Sequence, residues 1–324
     1  MTAMIKDNRS PSKHLGNLLL ILTAMIWGTA FVGQRVGMDS IEPFTFTAAR
    51  NVLAAAAVGL VAFIAARRGH SETVSSAAPF SMENKKAYRR QTVIGGLVCG
   101  VFLCAASLFQ QVGIIYTTAG KSGFITAMYM LLVPIINFVV FRKKNSWHIW
   151  LAVAIGVAGM YLLCITEGFR LTRGDTLVCV SAVLFSCHIL SCGHFVRRGD
   201  PLVISAVQFT TCAVLSGLLA FIFETPAWEK TAAAALPILY CGLLSGGVGY
   251  TLQIIAQKYT DPTVASLLMS LESVFAVLAG ALILNERMTV REGLGCVVMF
   301  LAIILVQIPL PKKRVKSGKI VENQ

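Results

Sequence analysis

The chain has 324 residues, of which 56% are apolar and 13% charged, with a formal net charge of +13. An ordinary soluble domain carries about a quarter charged residues, so so sparse a supply excludes a water-solvated fold of this size. About 20 apolar residues of helix cross the roughly 30 Å hydrocarbon core of a bilayer, and runs of that kind recur along almost the whole chain.

The first run, Leu15 to Met38, follows basic residues. It exceeds a signal-peptide core and lacks a small-residue cleavage site, so it reads as a retained helix. Thr23, Trp27 and Gln34 fall on one face of it, and the second run, Pro43 to Ala66, holds Arg50 in its outer third. The third, Thr92 to Ile115, carries Gly96 and Gly100, then Ser107 and Gln110; the fourth, Gly120 to Phe141, carries Ser122, Thr126, Tyr129 and Asn137. The fifth is Ile149 to Ile165, and the sixth, Thr176 to Val196, contains Ser181, His188 and Ser191. The seventh spans Leu202 to Phe223, and the eighth, Ala232 to Ala256, bears Gly246, Tyr250 and Gln253, with Gln257 just beyond. Glu272 lies in the ninth, Thr263 to Leu284, and the tenth is Gly293 to Leu310. Helical spacing puts each polar set on one face, which predicts a wet interior cavity, interhelical hydrogen bonding being the competing use of such residues. The runs are too long and too continuous for barrel strands, so the predicted fold is an all-α membrane protein with ten transmembrane helices.

Lys and Arg are distributed unevenly over the loops. The side that holds the N-terminus collects 20 of them and the other side six: Lys121, Arg170, Arg173, Lys230, Arg287 and Arg291. Basic residues mark cytoplasmic loops, so both termini are expected in the cytoplasm of a plasma (inner) membrane protein. The charge is thus a topology signal, with attraction of Lys312, Lys313, Arg314, Lys316 and Lys319 to anionic lipid as a secondary effect, and no nucleic acid is needed to explain it. The nine cysteines all fall in apolar runs without a Cys-x-x-Cys pair and read as small buried hydrophobes.

The last five runs echo the first five. An offset of 158 brings Pro43 onto Pro201 and Arg50 onto Gln208; an offset of 143 brings Gln110 onto Gln253 and Tyr116 onto Tyr259. Gly156 meets Gly295 at 139, which places an extra helical turn between Tyr116 and Pro134 and sets Val133 opposite Glu272. An odd number of spans per repeat gives two inverted halves, residues 15–166 and 174–310, with cytoplasmic tails at 1–14 and 311–324. Inverted repeats of this kind build secondary transporters.

Trp27-Gly28-Thr29-Ala30-Phe31, then Pro43 and Arg50, resemble the opening of an EamA-type domain of the drug/metabolite transporter superfamily. The stretch from Gln257 through Lys258-Tyr259-Thr260, Ala265-Ser266-Leu267-Leu268 and Leu271-Glu272 to Leu284-Asn285-Glu286-Arg287 is similar to the signature of a second copy. Two departures stand out: Ser273 occupies the place where a proline often follows the glutamate, and Arg142-Lys143-Lys144 replaces a common Gly-Glu pair. A role resting on a proline break in the ninth helix is therefore not expected here. The resemblance implies a small organic solute, such as an amino acid, related metabolite or drug-like compound, commonly exported.

Glu272, about nine residues into its helix and about 14 Å deep at 1.5 Å per residue, falls near the bilayer midplane. An ionisable group there usually faces a cavity or a partner, which makes Glu272 the candidate coupling residue, with protons as the candidate ion. Candidate substrate-binding residues are Trp27, Gln34, Arg50, Gln110, Tyr129, His188, Tyr250 and Gln253. No metal or cofactor is expected, since neither His188 nor His194 has a second ligand at metal spacing. No phosphate-binding loop or catalytic triad is present in sequence, and residues 67–91 are too few for an ATPase domain. The expected activity is therefore alternating-access transport and not enzymatic. The rival readings are a membrane-embedded enzyme acting on lipid or isoprenoid substrates and a scaffold without transport.

Overall fold

A computed structural model describes residues 10–67, 82–117, 119–143, 145–164, 172–283 and 289–307. Outside them lie residues 1–9, the whole predicted 311–324 tail with its lysines, and the Leu284-Asn285-Glu286-Arg287 motif. Among the described residues all regular structure is helical. The elements are α1 (Ser10–Gly37), α2 (Pro43–Arg67), α3 (Met82–Gly113), α4 (Ala119–Ala127), α5 (Tyr129–Val139), α6 (Trp147–Cys164), α7 (Arg173–Phe195) and α8 (Pro201–Phe223). After the short helices α9 (Trp228–Ala233) and α10 (Ala235–Leu239) the chain runs as a π-helical segment, Tyr240–Tyr250, into α11 (Thr251–Gln257). The last elements are α12 (Pro262–Met269), α13 (Glu272–Ile283) and α14 (Val290–Gln307).

Eight stretches of described residues are long and apolar enough to cross a membrane, and Trp147–Gly159 and Gly293–Leu305 are shorter apolar helices. The protein is an integral membrane protein by this criterion, with large apolar side chains such as Phe221, Leu282 and Leu236 left on its outside. In lipid such exposure carries no penalty, and the exposed Trp147 and Trp228 sit near helix ends, where indole rings favour the membrane interface. α3 starts at Met82, well before the expected Thr92, because the charged Glu83 to Gln91 segment has good helix formers and needs no apolarity to extend the helix.

Helix starts follow their local sequence. Thr172 and Asp175 form a capping box on α7; Asp200 and Asp261 cap α8 and α12, each followed by a proline whose missing N–H is not needed at a first turn. α2 is different, since the Phe44 and Thr45 N–H groups donate to the Glu224 carboxylate at 2.8 and 2.7 Å, so the end of α8 caps it from the other half.

Two predicted helices are broken. The fourth divides at Met128, and Pro134 removes one backbone donor a turn and a half further on. The ninth divides at Ser270 and Leu271 although no proline follows Glu272. Serines do the work there: Ser266 Oγ donates to the Thr263 carbonyl and Ser270 Oγ to the Leu267 carbonyl at 2.9 and 2.7 Å. Such side-chain bonds compete with the helical ladder, so the predicted run from Thr263 to Leu284 is divided without a proline.

Element boundaries also correct the repeat alignment. Starts of α4, α5 and α6 at Ala119, Tyr129 and Trp147 match those of α12, α13 and α14 at Pro262, Glu272 and Val290 at the single offset of 143. No extra turn interrupts the first half, and Glu272 stands opposite Tyr129, not Val133. Contacts exchange in the same way: α1 packs on α13 and the π segment as α7 packs on α4, α5 and α3, while α2 pairs with α8 and α6 with α14.

Candidate functional site

The two breaks meet in the middle of the molecule. Tyr129 Oη donates to Glu272 Oε1 at 2.9 Å, so residues at equivalent positions of the two halves touch. Both are buried, and they line a cavity with Trp27, Phe31, Gln34, Arg50, Asn51, Ser107, Gln110, Thr126, Phe185, Phe209, Ser245 and Tyr250. The cavity has a volume of about 40 Å³, room for a few waters at roughly 10–15 Å³ each. A solute of metabolite size requires its helices to move apart.

Close backbone approaches fix the two charges. A Cβ on Gly28 would lie 2.6 Å from the Glu272 carbonyl oxygen and 2.6 Å from Phe275 Cβ, so α1 reaches α13 only because that residue is glycine. Likewise a Cβ on Gly242 would lie 2.8 Å from the Arg50 carbonyl oxygen.

Arg50 is 9% exposed, and its guanidinium lies 5.6 Å from the centre of the Phe46 ring. No carboxylate pairs with it among the described residues. A guanidinium offers five donors and remains charged, so Arg50 presents an unneutralised cation to the cavity. Glu272 does not pair with it; its described hydrogen bond is to the Tyr129 hydroxyl.

An aromatic wall stands beside these groups. Trp27 and Tyr250 have ring centroids 4.5 Å apart, Phe209 meets Tyr250 edge-on at 6.0 Å, and Trp27 Nε1 donates to the Ser245 carbonyl at 3.2 Å. On the opposite wall Gln110 Nε2 donates to Thr126 Oγ1 at 2.9 Å, and Gln34 Oε1 is buried without a partner among the described residues.

Six of the eight expected substrate residues thus come together with Glu272: Trp27, Gln34, Arg50, Gln110, Tyr129 and Tyr250. His188 and Gln253 do not line this cavity. His188 is bonded to Gln208 Oε1 at 3.0 Å and presents its ring edge-on to Tyr250 at 5.7 Å, so it stands behind the aromatic wall. Gln253 is fully buried, and both ends of its amide lack a partner among the described residues. The change from π-helix to α-helix at Thr251 explains it, because bonds to the fifth residue widen the turn and a spacing of three or four no longer tracks one face. Phe31, Asn51, Phe185, Phe209 and Ser245 were not expected as lining residues. For Asn51 and Phe185 a signal exists, adjacency to Arg50 and repeat equivalence to Trp27 at offset 158.

A bundle of apolar helices enclosing a small polar cavity lined by a buried arginine and a buried glutamate defines a polytopic membrane protein with a polar site inside its apolar bundle. The EamA-like transporter family model matches residues 14–165 and 172–308, and the chain belongs to that family. An uncharacterized transporter of Archaeoglobus fulgidus is 28% identical over 292 residues, 90% of this chain and 85% of that one. The Bacillus subtilis uncharacterized transporters YoaV and YwfM are 22% and 24% identical, over 91% and 93% of this chain and 98% and 96% of theirs. A protein of known crystal structure superposes with a TM-score of 0.70 at 18% identity, covering 93% of this chain and 97% of that one, a likeness of fold.

Proposed function

We propose that the protein is a secondary transporter that carries a small organic solute through the central cavity by alternating access, with ten helices in two inverted halves, 15–166 and 174–310. The observation that carries this reading is the Arg50 and Glu272 pair of buried, separately held ionisable groups in a cavity built from both halves. A permanent packing core would neutralise such groups or replace them with apolar groups. The exchange of contacts between halves supports two arrangements of similar energy, open to one side and then to the other.

In this reading Arg50 holds an anionic or strongly hydrogen-bonding group of the solute, the Trp27, Phe209 and Tyr250 wall covers its apolar part, and Gln34 and Gln110 orient it. Glu272 carries the proton, and Tyr129 holds the carboxyl group in place. Both termini are cytoplasmic in a plasma (inner) membrane, and the solute moves outward. Amino acids, related metabolites and drug-like compounds are the solute classes in view.

Proteoliposomes test the proposal. Preloaded with a panel of such solutes and given an imposed pH gradient, they exchange at least one solute faster than protein-free vesicles. No exchange of any solute under any gradient overturns the transporter reading.

A further inference from the structure

A second cavity, of about 160 Å³, opens between α5, α7 and α12, away from the central site. Its floor is Asn137, Leu190, Gly193 and Pro262; its rim is Phe141, Lys143, His194, Arg197 and Arg198. An engineered cavity of roughly 150 Å³ holds a benzene molecule, so a phosphate-sized group fits. We propose that this pocket binds the phosphate headgroup of an anionic phospholipid, held by Lys143, Arg197 and Arg198.

Three observations support a charge that belongs to a ligand. First, none of the three cations has a carboxylate partner among the described residues. The nearby Asp200 and Asp261 carboxylates accept from backbone N–H groups at the starts of α8 and α12. The C-terminal dipoles of α5 and α7 contribute roughly half a negative charge each, too little to offset three fixed cations. Arg198 donates to the His194 ring, which places the guanidinium at the rim.

Second, the backbone departs from its preferred region to bring Lys143 back. Arg142 has φ 51°, a left-handed conformation that favours glycine, and the turn lets the Lys143 N–H donate to the Asn137 carbonyl at 3.2 Å. A Cβ on Gly193 would lie 2.5 Å from Pro262 Cγ, so a bare glycine also closes the floor.

Third, the rim continues into exposed apolar surface. Phe138, Val139, Val140 and Phe141 are each about half exposed or more at the end of α5. Acyl chains lie against such a surface while the headgroup meets the cations, an arrangement a free phosphate ion does not use. Basic pockets between helices on the cytoplasmic side are favourable places for anionic headgroups, and the loop charges put this end of the molecule on that side.

The full chain, purified in detergent, is titrated with phosphatidylglycerol, with phosphatidylcholine of the same chains, and with inorganic phosphate at matched ionic strength, its melting temperature being the readout. Phosphatidylglycerol is expected to stabilise it and the other two are not. Arg197→Gln, which removes a side chain with no described partner, weakens the apparent lipid affinity about fivefold; Arg197→Gln with Lys143→Gln weakens it about fivefold per cation. Lys258→Gln, an exposed cation outside the pocket, leaves it unchanged. Equal stabilisation by the two lipids, equal loss in the Lys258→Gln control, or stabilisation by inorganic phosphate alone overturns the proposal.

Discussion

The break at Met128 and the break at Ser270–Leu271 occupy the same place in the two halves, yet they are made and used differently. The first is followed by a proline and presents a phenol; the second is made by serine side chains and presents a carboxyl group. A shared backbone geometry thus survives a change in its cause. The chemistry does not follow the symmetry: Tyr129 meets Glu272, Arg50 stands opposite Gln208, and α2 borrows its cap from Glu224 while α8 has its own Asp200. The backbone repeats between the halves, and the polar residues set the halves apart.

The largest effect expected from disturbing this contrast is that of Glu272→Gln, which makes both breaks neutral. Proton-driven flux in proteoliposomes falls to background while solute exchange continues; unchanged pH-driven flux removes Glu272 from coupling. Arg50→Gln makes the first half match the second. Loss of a charge-assisted contact worth about 1.5–3 kcal/mol raises KM or Kd about ten- to hundredfold, with Arg50→Lys recovering part of it.

Tyr129→Phe keeps the ring and deletes one neutral donor, so the expected loss in coupled flux is about three- to tenfold, smaller than that of Glu272→Gln. An equal loss in the two variants assigns the proton step to the pair and not to the carboxyl group. Glu224→Gln weakens the borrowed cap by about 1 kcal/mol, read as a melting temperature lower by about 2–4 °C. The smallest effect belongs to Glu42→Gln, whose carboxylate bonds Lys230 at the surface. The hydrogen bond from the Lys230 ammonium lowers the Glu42 pKa from its ordinary value. Its contribution is therefore present above the unfolded carboxylate pKa and lost as pH falls through the lowered one, and for an exposed pair it is under about 1 kcal/mol.

Much of this was legible in the chain because lipid simplifies the code. Apolar runs located the helices, and the rarity of deep charge singled out Arg50 and Glu272. What periodicity could not show was a change of helix type. The π segment turned Gln253 away from the cavity, and the serine break turned Glu272 toward Tyr129, the phenol at its own repeat position. A match of two isolated glycines, Gly156 and Gly295, misplaced the repeat where helix boundaries later fixed it. His188 was polar and correctly spaced, but a neighbouring amide already used its ring nitrogen.

Gly28 sets a mechanical condition on any opening of the cavity. With the Glu272 carbonyl oxygen 2.6 Å from where its Cβ would stand, α1 meets the α13 backbone here with no side chain of its own between them. A side chain at residue 28 would force α1 and α13 apart, because what it would meet is the Glu272 carbonyl oxygen, the Ala276 backbone nitrogen and the Phe275 Cβ, none of them the far end of a flexible chain. The glycine thus makes this part of the cavity wall a close-packed seam of backbone on backbone, which an opening between α1 and α13 has to part.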